Sequence, residues 1–387
     1  MSITTIITVL IIISFLVVIH ELGHFWASRR NGVRVEEFGV GYPPRLFGKK
    51  IGETLYSINL IPFGGFVRIT GEDESDEKEQ GKIVNDPHSF SNKTPWQKIQ
   101  ILLAGVVMNF LVAFLLFYIF FFINGFKSFY IPMIFDYDFK LGNELSYGTM
   151  IFDIEKDSPA EKSGMKLGEV IIEVDGANIN NVQDLRSSLS DKANTTVKIQ
   201  TLDIITGNSG EIHTYQVTPE LYEPQNEGES NAIIGVYLDE AKAISYDTSL
   251  QKILSGPMHT YNMLGYSVVS LGKMVGLSVE TKNIEPVSSS MTGPVGIFNI
   301  LGNIVESPSG ERVLNLLNTV AIISLGFAFT NLLPIPALDG GRAVFRLYEG
   351  VTKKEVNPKL EANIHKVGMI ALYMLVALIT FRDIRVW

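Results

Sequence analysis

The chain has 387 residues, a formal net charge of −9, 46% hydrophobic residues and a mean hydropathy of +0.20. The acidic balance argues against nucleic acid as the main partner. The absence of cysteine excludes disulfides, so any metal site must use histidine and carboxylate, a donor set that suits a catalytic zinc better than a structural one. The length leaves room for two or three units, and the modest hydropathy fits a chain that alternates membrane segments with polar domains.

The first predicted element is the apolar run TTIITVLIIISFLVVIHELGH, residues 4–24, which is long enough to be a membrane helix. It lacks a basic n-region and a small-residue cleavage site. Its positive charges come afterwards, at Arg29, Arg30 and Arg34, so it reads as a retained helix rather than a signal peptide. The run ends in His20-Glu21-Leu22-Gly23-His24. At helical pitch His20 and His24 lie one turn apart on one side, where two imidazoles can share one Zn2+. Glu21 is then placed to take a proton from a water on that metal. Ionisable groups at bilayer depth are costly, which argues for a use.

Residues 51–70 predict a membrane-associated β-hairpin around Pro62, Gly64 and Gly65, with Phe66 following. Its edge could pair with an extended substrate backbone by strand addition, or the hairpin could only pack on the spans. The acidic stretch Asp73 to Glu79 reads as a solvated loop. Trp96, Lys93 and Lys98 mark the interface where a second span, 99–123, begins. Asn109 is an amide inside that span. It either bonds another helix or helps to position groups of the site.

Residues 140–238 predict a small β-rich domain with two short helices: SPAEKSGMKLGEVIIEV from Ser158, an Asp175-Gly176 turn, and a helix starting near Asn181. Residues 239–312 read as an amphipathic and linker region, with a helix from Ser249 at the outer surface and a break at Met291 to Ile297. A third span is expected at 313–334 and a fourth, shorter one at 365–381. Lys and Arg cluster in the 26–98 connection (Arg29, Arg30, Arg34, Arg45, Lys49, Lys50, Arg68) and the 341–366 connection (Arg342, Arg346, Lys353, Lys354, Lys359). The positive-inside rule places both connections in the cytoplasm, and the termini with the 124–312 segment outside. The ends of spans one and three then share one membrane level. The second of these reads Asn331-Leu332-Leu333-Pro334-Ile335-Pro336-Ala337-Leu338-Asp339-Gly340-Gly341. Asp339, on a proline-broken segment at the depth of the histidines, is the expected third metal ligand. His259 is expected outside, away from the metal. His88, His213 and His365 are expected to be ordinary surface histidines.

With HELGH, the PDZ-like order of 140–238, TGPVGI and NLLPIPALDGG in hand, the chain resembles the bacterial site-2 proteases of the RseP type, over nearly its whole length and in the same order. That resemblance implies a polytopic α-helical membrane protein of four transmembrane helices with an inserted extracytoplasmic PDZ-like domain. It implies an intramembrane zinc metalloprotease, with His20, His24 and Asp339 holding zinc and Glu21 as the base. Asn331 falls on a family position linked to substrate, alongside Pro334 and Pro336, and the hairpin with Gly64, Gly65 and Phe66 falls on the family's own. The substrates implied are single-span membrane proteins such as anti-sigma factors, and remnant signal peptides. The membrane would be the bacterial inner membrane, with the active site near its cytoplasmic side. Two departures stand out: Val106, where relatives often have proline after the glycine, and one PDZ-like segment where the best-studied relatives have two. A reading from a different class is a non-catalytic membrane adaptor that captures peptide ends through the PDZ-like groove and needs no metal.

Overall fold

The computed structural model describes residues 2–72, 86–203, 211–222, 231–283, 287, 292–307 and 312–386. The acidic loop from Asp73 to Glu79 and Met291 of the expected break lie outside the described residues. The chain divides into two compact units, one of residues 1–117, 277–307 and 315–387, the other of 118–276 and 308–314.

The first unit opens with helix α1 (Ile3–Arg30), whose N-terminal amide at Thr5 is capped by the Ser2 side chain. Helix α1 continues through HELGH without a break, so the pentad sits on a membrane-length helix. Strands β1 (Val35–Ile51) and β2 (Thr54–Ile69) form the expected hairpin, but longer and curled. Residues 37–40 of β1 pair on one side with 65–68 and on the other with 55–58 of β2. This leaves the end of β2 as an edge. Leu46, Phe47, Ile58, Leu60, Ile61 and Phe63 are exposed on the hairpin, an apolar surface that water would not tolerate but lipid would. Ser14, midway along the apolar run, donates to the Pro62 carbonyl at 2.9 Å and accepts from the Gly64 N–H at 3.2 Å. The bend of the hairpin is thereby docked about six residues, or roughly 9 Å, from His20 along α1. Helix α2 (Pro95–Ile123) is the second span.

The second unit is built on a sheet of strands β3 (Ile131–Pro132), β4 (Asn143–Ile154), β5 (Glu169–Val174), β6 (Ala177–Asn178), β7 (Val197–Asp203), β8 (Ile212–Val217) and β11 (Val236–Ser245). Their order is β3-β11-β4-β5-β7-β8, with β6 on β5. Two further strands, β9 (Glu220–Tyr222) and β10 (Asn231–Ile233), pair with each other. Helix α3 (Pro159–Ser163) has the expected signals: Ser158 caps the N-terminus, proline opens the first turn and Gly164 closes it at φ 81°. Helix α4 (Val182–Leu189) starts with Asn181 as its cap. Asp175 and Gly176 both take positive φ, the turn needed between β5 and β6. Ile151, Ile171, Leu185, Leu189, Val197 and Ile199 form the core. Strand β11 runs past residue 238, where the sequence reading ended this domain, because its Ala241–Ser245 end pairs with β4. Short α5 (Ser249–Ile253) carries a capping box and leads into α6 (Ser255–Thr281).

The first unit resumes with α7 (Pro294–Glu306), a helix where only a break and approach were expected. Leu301 packs with Val9 and Ile13 of α1, and Glu306 accepts from the Ser2 N–H at 2.7 Å. Gly293 offers α7 no side-chain cap. The Asp383 carboxylate takes that place, accepting from the N–H groups of Gly293 at 3.0 Å and Gly296 at 2.9 Å. Helix α8 (Arg312–Leu332) is the third span. The proline-broken segment after it ends at α9 (Asp339–Thr352), and α10 (Pro358–Val386) is the fourth span, longer than the expected 365–381. Arg346 of α9 pairs with Glu361 of α10, which ties the two helices together.

Candidate metal centre

Helical pitch brings His20 and His24 onto one side of α1, as their spacing predicts, and the first turn of α9 presents Asp339 to both. His20 Nε2 lies 3.0 Å from Asp339 Oδ2, His24 Nε2 lies 3.4 Å from it, and the two Nε2 atoms are 3.1 Å apart. A tetrahedral zinc with ligands at 2.0–2.1 Å places neighbouring donor atoms about 3.3 Å apart, so this triangle has the size of one face of such a site. The histidines are buried and Asp339 is partly so.

The surroundings also fit a metal. His24 Nδ1 is 2.8 Å from the Ile101 carbonyl. That carbonyl can only accept, so Nδ1 carries a proton, and in the neutral ring Nε2 is then the bare nitrogen. Gly105 of α2 stands against the donor atoms: a Cβ there would meet His24 Nε2 at 2.5 Å and His20 Nε2 at 2.7 Å. The missing side chain is the room the ligand set occupies. Gly23 lets the two helices approach, since a Cβ on it would come within 2.4 Å of the Ala104 carbonyl oxygen.

Glu21 sits between the histidines in sequence and accepts from the Val67 N–H at 3.1 Å. The free edge of β2 therefore runs beside Glu21. A cavity of about 150 Å³ joins Glu21, the three donor residues, Val67, Ile69 and Glu72. It can hold a few waters, at about 30 Å³ each. Glu72 pairs with Arg342, one turn past Asp339 in α9, so the end of the hairpin is clipped to the helix that carries the third donor.

Asp339 is held indirectly. Ala337 adopts φ 80°, and its N–H donates to His365 Nδ1 at 2.9 Å. His365 is thus not the surface histidine expected from sequence: its side chain is 15% exposed, packed edge-on against Phe345. Nor is His213 an ordinary surface group, since its Nδ1 lies 2.7 Å from the buried Glu169 carboxylate. His259 is buried in the second unit against Phe121 and Tyr246. His88 is exposed, as expected.

Of the remaining expected residues, Asn331 lies in the last turn of α8 and Pro334 and Pro336 in the loop after it; none lines the cavity. Gly64, Gly65 and Phe66 stop short of it as well. Gly64 and Gly65 pack on Val17 and Val18 of α1, and the Phe66 ring stacks on Tyr42. The groups that face the site are the next ones along the edge, Val67 and Ile69. Strand alternation from an observed contact identifies them; composition alone could not. Asn109 does reach the centre, its amide 3.3 Å from His20 Nδ1.

Residues 8–375 match the profile of peptidase family M50. The chain belongs to that family. A zinc metalloprotease of Clostridium perfringens is 32% identical over 98% of both chains. One of Clostridium acetobutylicum is 28% identical, covering 99% of this chain and 98% of its own. The regulator of sigma-W protease RasP of Bacillus subtilis is 25% identical over 100% of this chain and 99% of its own. With four membrane-length helices and a His-His-Asp cluster, this M50 chain is a multi-pass bacterial membrane metalloprotease.

Proposed function

We propose that the chain hydrolyses peptide bonds within transmembrane segments of single-span membrane proteins, using one Zn2+ held by His20, His24 and Asp339. The observation that carries this reading is the donor triangle of 3.0–3.4 Å edges on membrane-length elements. When bound, zinc supplies Lewis acidity, polarising the scissile carbonyl and acidifying a water. Glu21 accepts the proton of the attacking water and passes it to the leaving amide nitrogen as the C–N bond breaks. A peptide bond in a helix is shielded, so the substrate must unwind locally. The β2 edge at Val67 and Ile69 offers backbone partners for the extended stretch, with Asn331, Pro334 and Pro336 assigned to substrate by family likeness alone.

The Bacillus subtilis relative is named regulator of sigma-W protease, which supports anti-sigma factors as a substrate class; remnant signal peptides rest on the family likeness alone. The β-rich unit acts in this reading as an extracytoplasmic PDZ-like filter that excludes untrimmed ectodomains. The charge pattern supports a metal centre toward the cytoplasmic side.

The test is to purify the full chain in detergent, measure bound zinc, and assay a transmembrane reporter against Glu21→Gln. Loss of the base is expected to lower turnover by at least about 100-fold while zinc stays bound. A metal-free parent, or a variant as active as the parent, would overturn the reading, and the metal-free result would leave the peptide-binding adaptor.

A further inference from the structure

Two imidazoles can hold one cation only if each presents a bare Nε2, so each must carry its proton on Nδ1. For His24 the Ile101 carbonyl at 2.8 Å fulfils that demand. His20 Nδ1 faces no carbonyl of its own. Among the described residues, Asn109 Nδ2, at 3.3 Å, is the side-chain atom within hydrogen-bonding distance of it. Asn109 is 1% exposed, and Ser324 Oγ donates to its backbone carbonyl at 2.9 Å, which fixes this turn of α2 against α8.

Asn109 Oδ1, on the far side of the amide as placed, is buried without a hydrogen-bond partner. Nothing except His20 therefore selects which amide atom faces the ring, and a half-turn of the last side-chain torsion exchanges oxygen and nitrogen in place. An amide nitrogen against Nδ1 would require a lone pair there and put the ring proton on Nε2, in the direction of the ligand triangle. An amide oxygen does the reverse. A carboxylate could serve as acceptor too, but it would add a buried charge at bilayer depth, which is costly.

We propose that Asn109 Oδ1 accepts the Nδ1 proton of His20, holding the ring in the tautomer that frees Nε2 for the metal. Asn109 is then a positioning residue of the zinc centre, an assignment that rests on the zinc reading above. It also explains why a polar side chain is tolerated within an apolar span: the bond joins α2 to α1, as such amides usually join helices, and positions a ligand at the same time.

The experiment compares zinc retention of the full-length parent, Asn109→Leu and Asn109→Asp in detergent, titrating each with a zinc chelator and measuring the metal that stays bound. Leu has nearly the same volume and no acceptor, and its apparent zinc affinity is expected to fall about 10- to 100-fold, the usual effect of removing an outer-shell partner. Asp offers only acceptors toward the ring, and is expected to hold zinc within about threefold of the parent or more tightly. A Leu variant that retains zinc like the parent overturns the proposal. So does an Asp variant as loose as Leu, because an acceptor facing Nδ1 would then not be what retains the metal. If the Leu variant does not fold, the Asp variant decides alone: zinc held within about threefold of the parent supports the proposal, and a fall of about tenfold or more overturns it. A parent without zinc overturns the zinc reading and this proposal with it, whereas a zinc-loaded parent with an unaffected Leu variant overturns this proposal only.

Discussion

At the scale of single residues, the centre depends as much on an absent side chain as on those present. Gly105 faces His20 and His24 so closely that one methyl group would have to share space with both donor nitrogens, at 2.5 and 2.7 Å. Relief to ordinary contact requires a shift of about 1 Å, several times the ±0.2 Å tolerance of a metal–ligand distance. Gly105→Ala is therefore expected to weaken zinc retention by at least about tenfold and to abolish reporter cleavage in proportion. Chelator titration checks the first effect and reporter turnover the second. Normal zinc retention in this variant would show that α2 can move away from α1 without cost. The close approach of Gly23 to the Ala104 carbonyl argues that it cannot.

At the scale of elements, the third donor opens helix α9 and takes its place from the irregular loop just before it. The segment from Leu333 to Leu338 is broken by Pro334 and Pro336, and Ala337 sits at φ 80°, a conformation costing about 1–3 kcal/mol for a residue with a Cβ. It persists because the Ala337 N–H is held by His365 from α10, while α10 is itself tied to α9 through Arg346 and Glu361. Replacing His365 with Ala removes one net hydrogen bond of about 0.5–1.5 kcal/mol. Zinc affinity is then expected to fall about three- to tenfold, with Glu21 untouched. His365→Gln, whose side-chain oxygen can accept from the same N–H, should recover part of the loss. Equal zinc affinity in parent and His365→Ala would show that the loop holds its shape without α10.

At the scale of the whole molecule, what was legible in the sequence was what is encoded locally. His20, Glu21 and His24 share one helical turn, the caps at Ser158 and Asn181 lie beside their helices, and lipid-length runs announce the four spans. Asp339 was reached through charge counting, which put two distant segment ends at one depth, and through the family resemblance of its motif. Val67, Gly105 and His365 were not legible as site groups, because each acts through an approach between elements far apart in sequence. The α7 helix was missed because its cap, Asp383, comes from α10 rather than from its own N-terminus. The same charge pattern makes a claim about orientation. The chain has no cysteine, so one introduced thiol reports alone. Lys156, exposed in the turn before α3, lies in the segment assigned outside, and Lys354, exposed between α9 and α10, lies in the segment assigned to the cytoplasm. In intact cells Lys156→Cys is expected to react with a membrane-impermeant maleimide, and Lys354→Cys only after the membrane is opened. The opposite pattern would invert the protein in the bilayer, moving the metal centre to the outer side and excluding an ectodomain filter outside the cell.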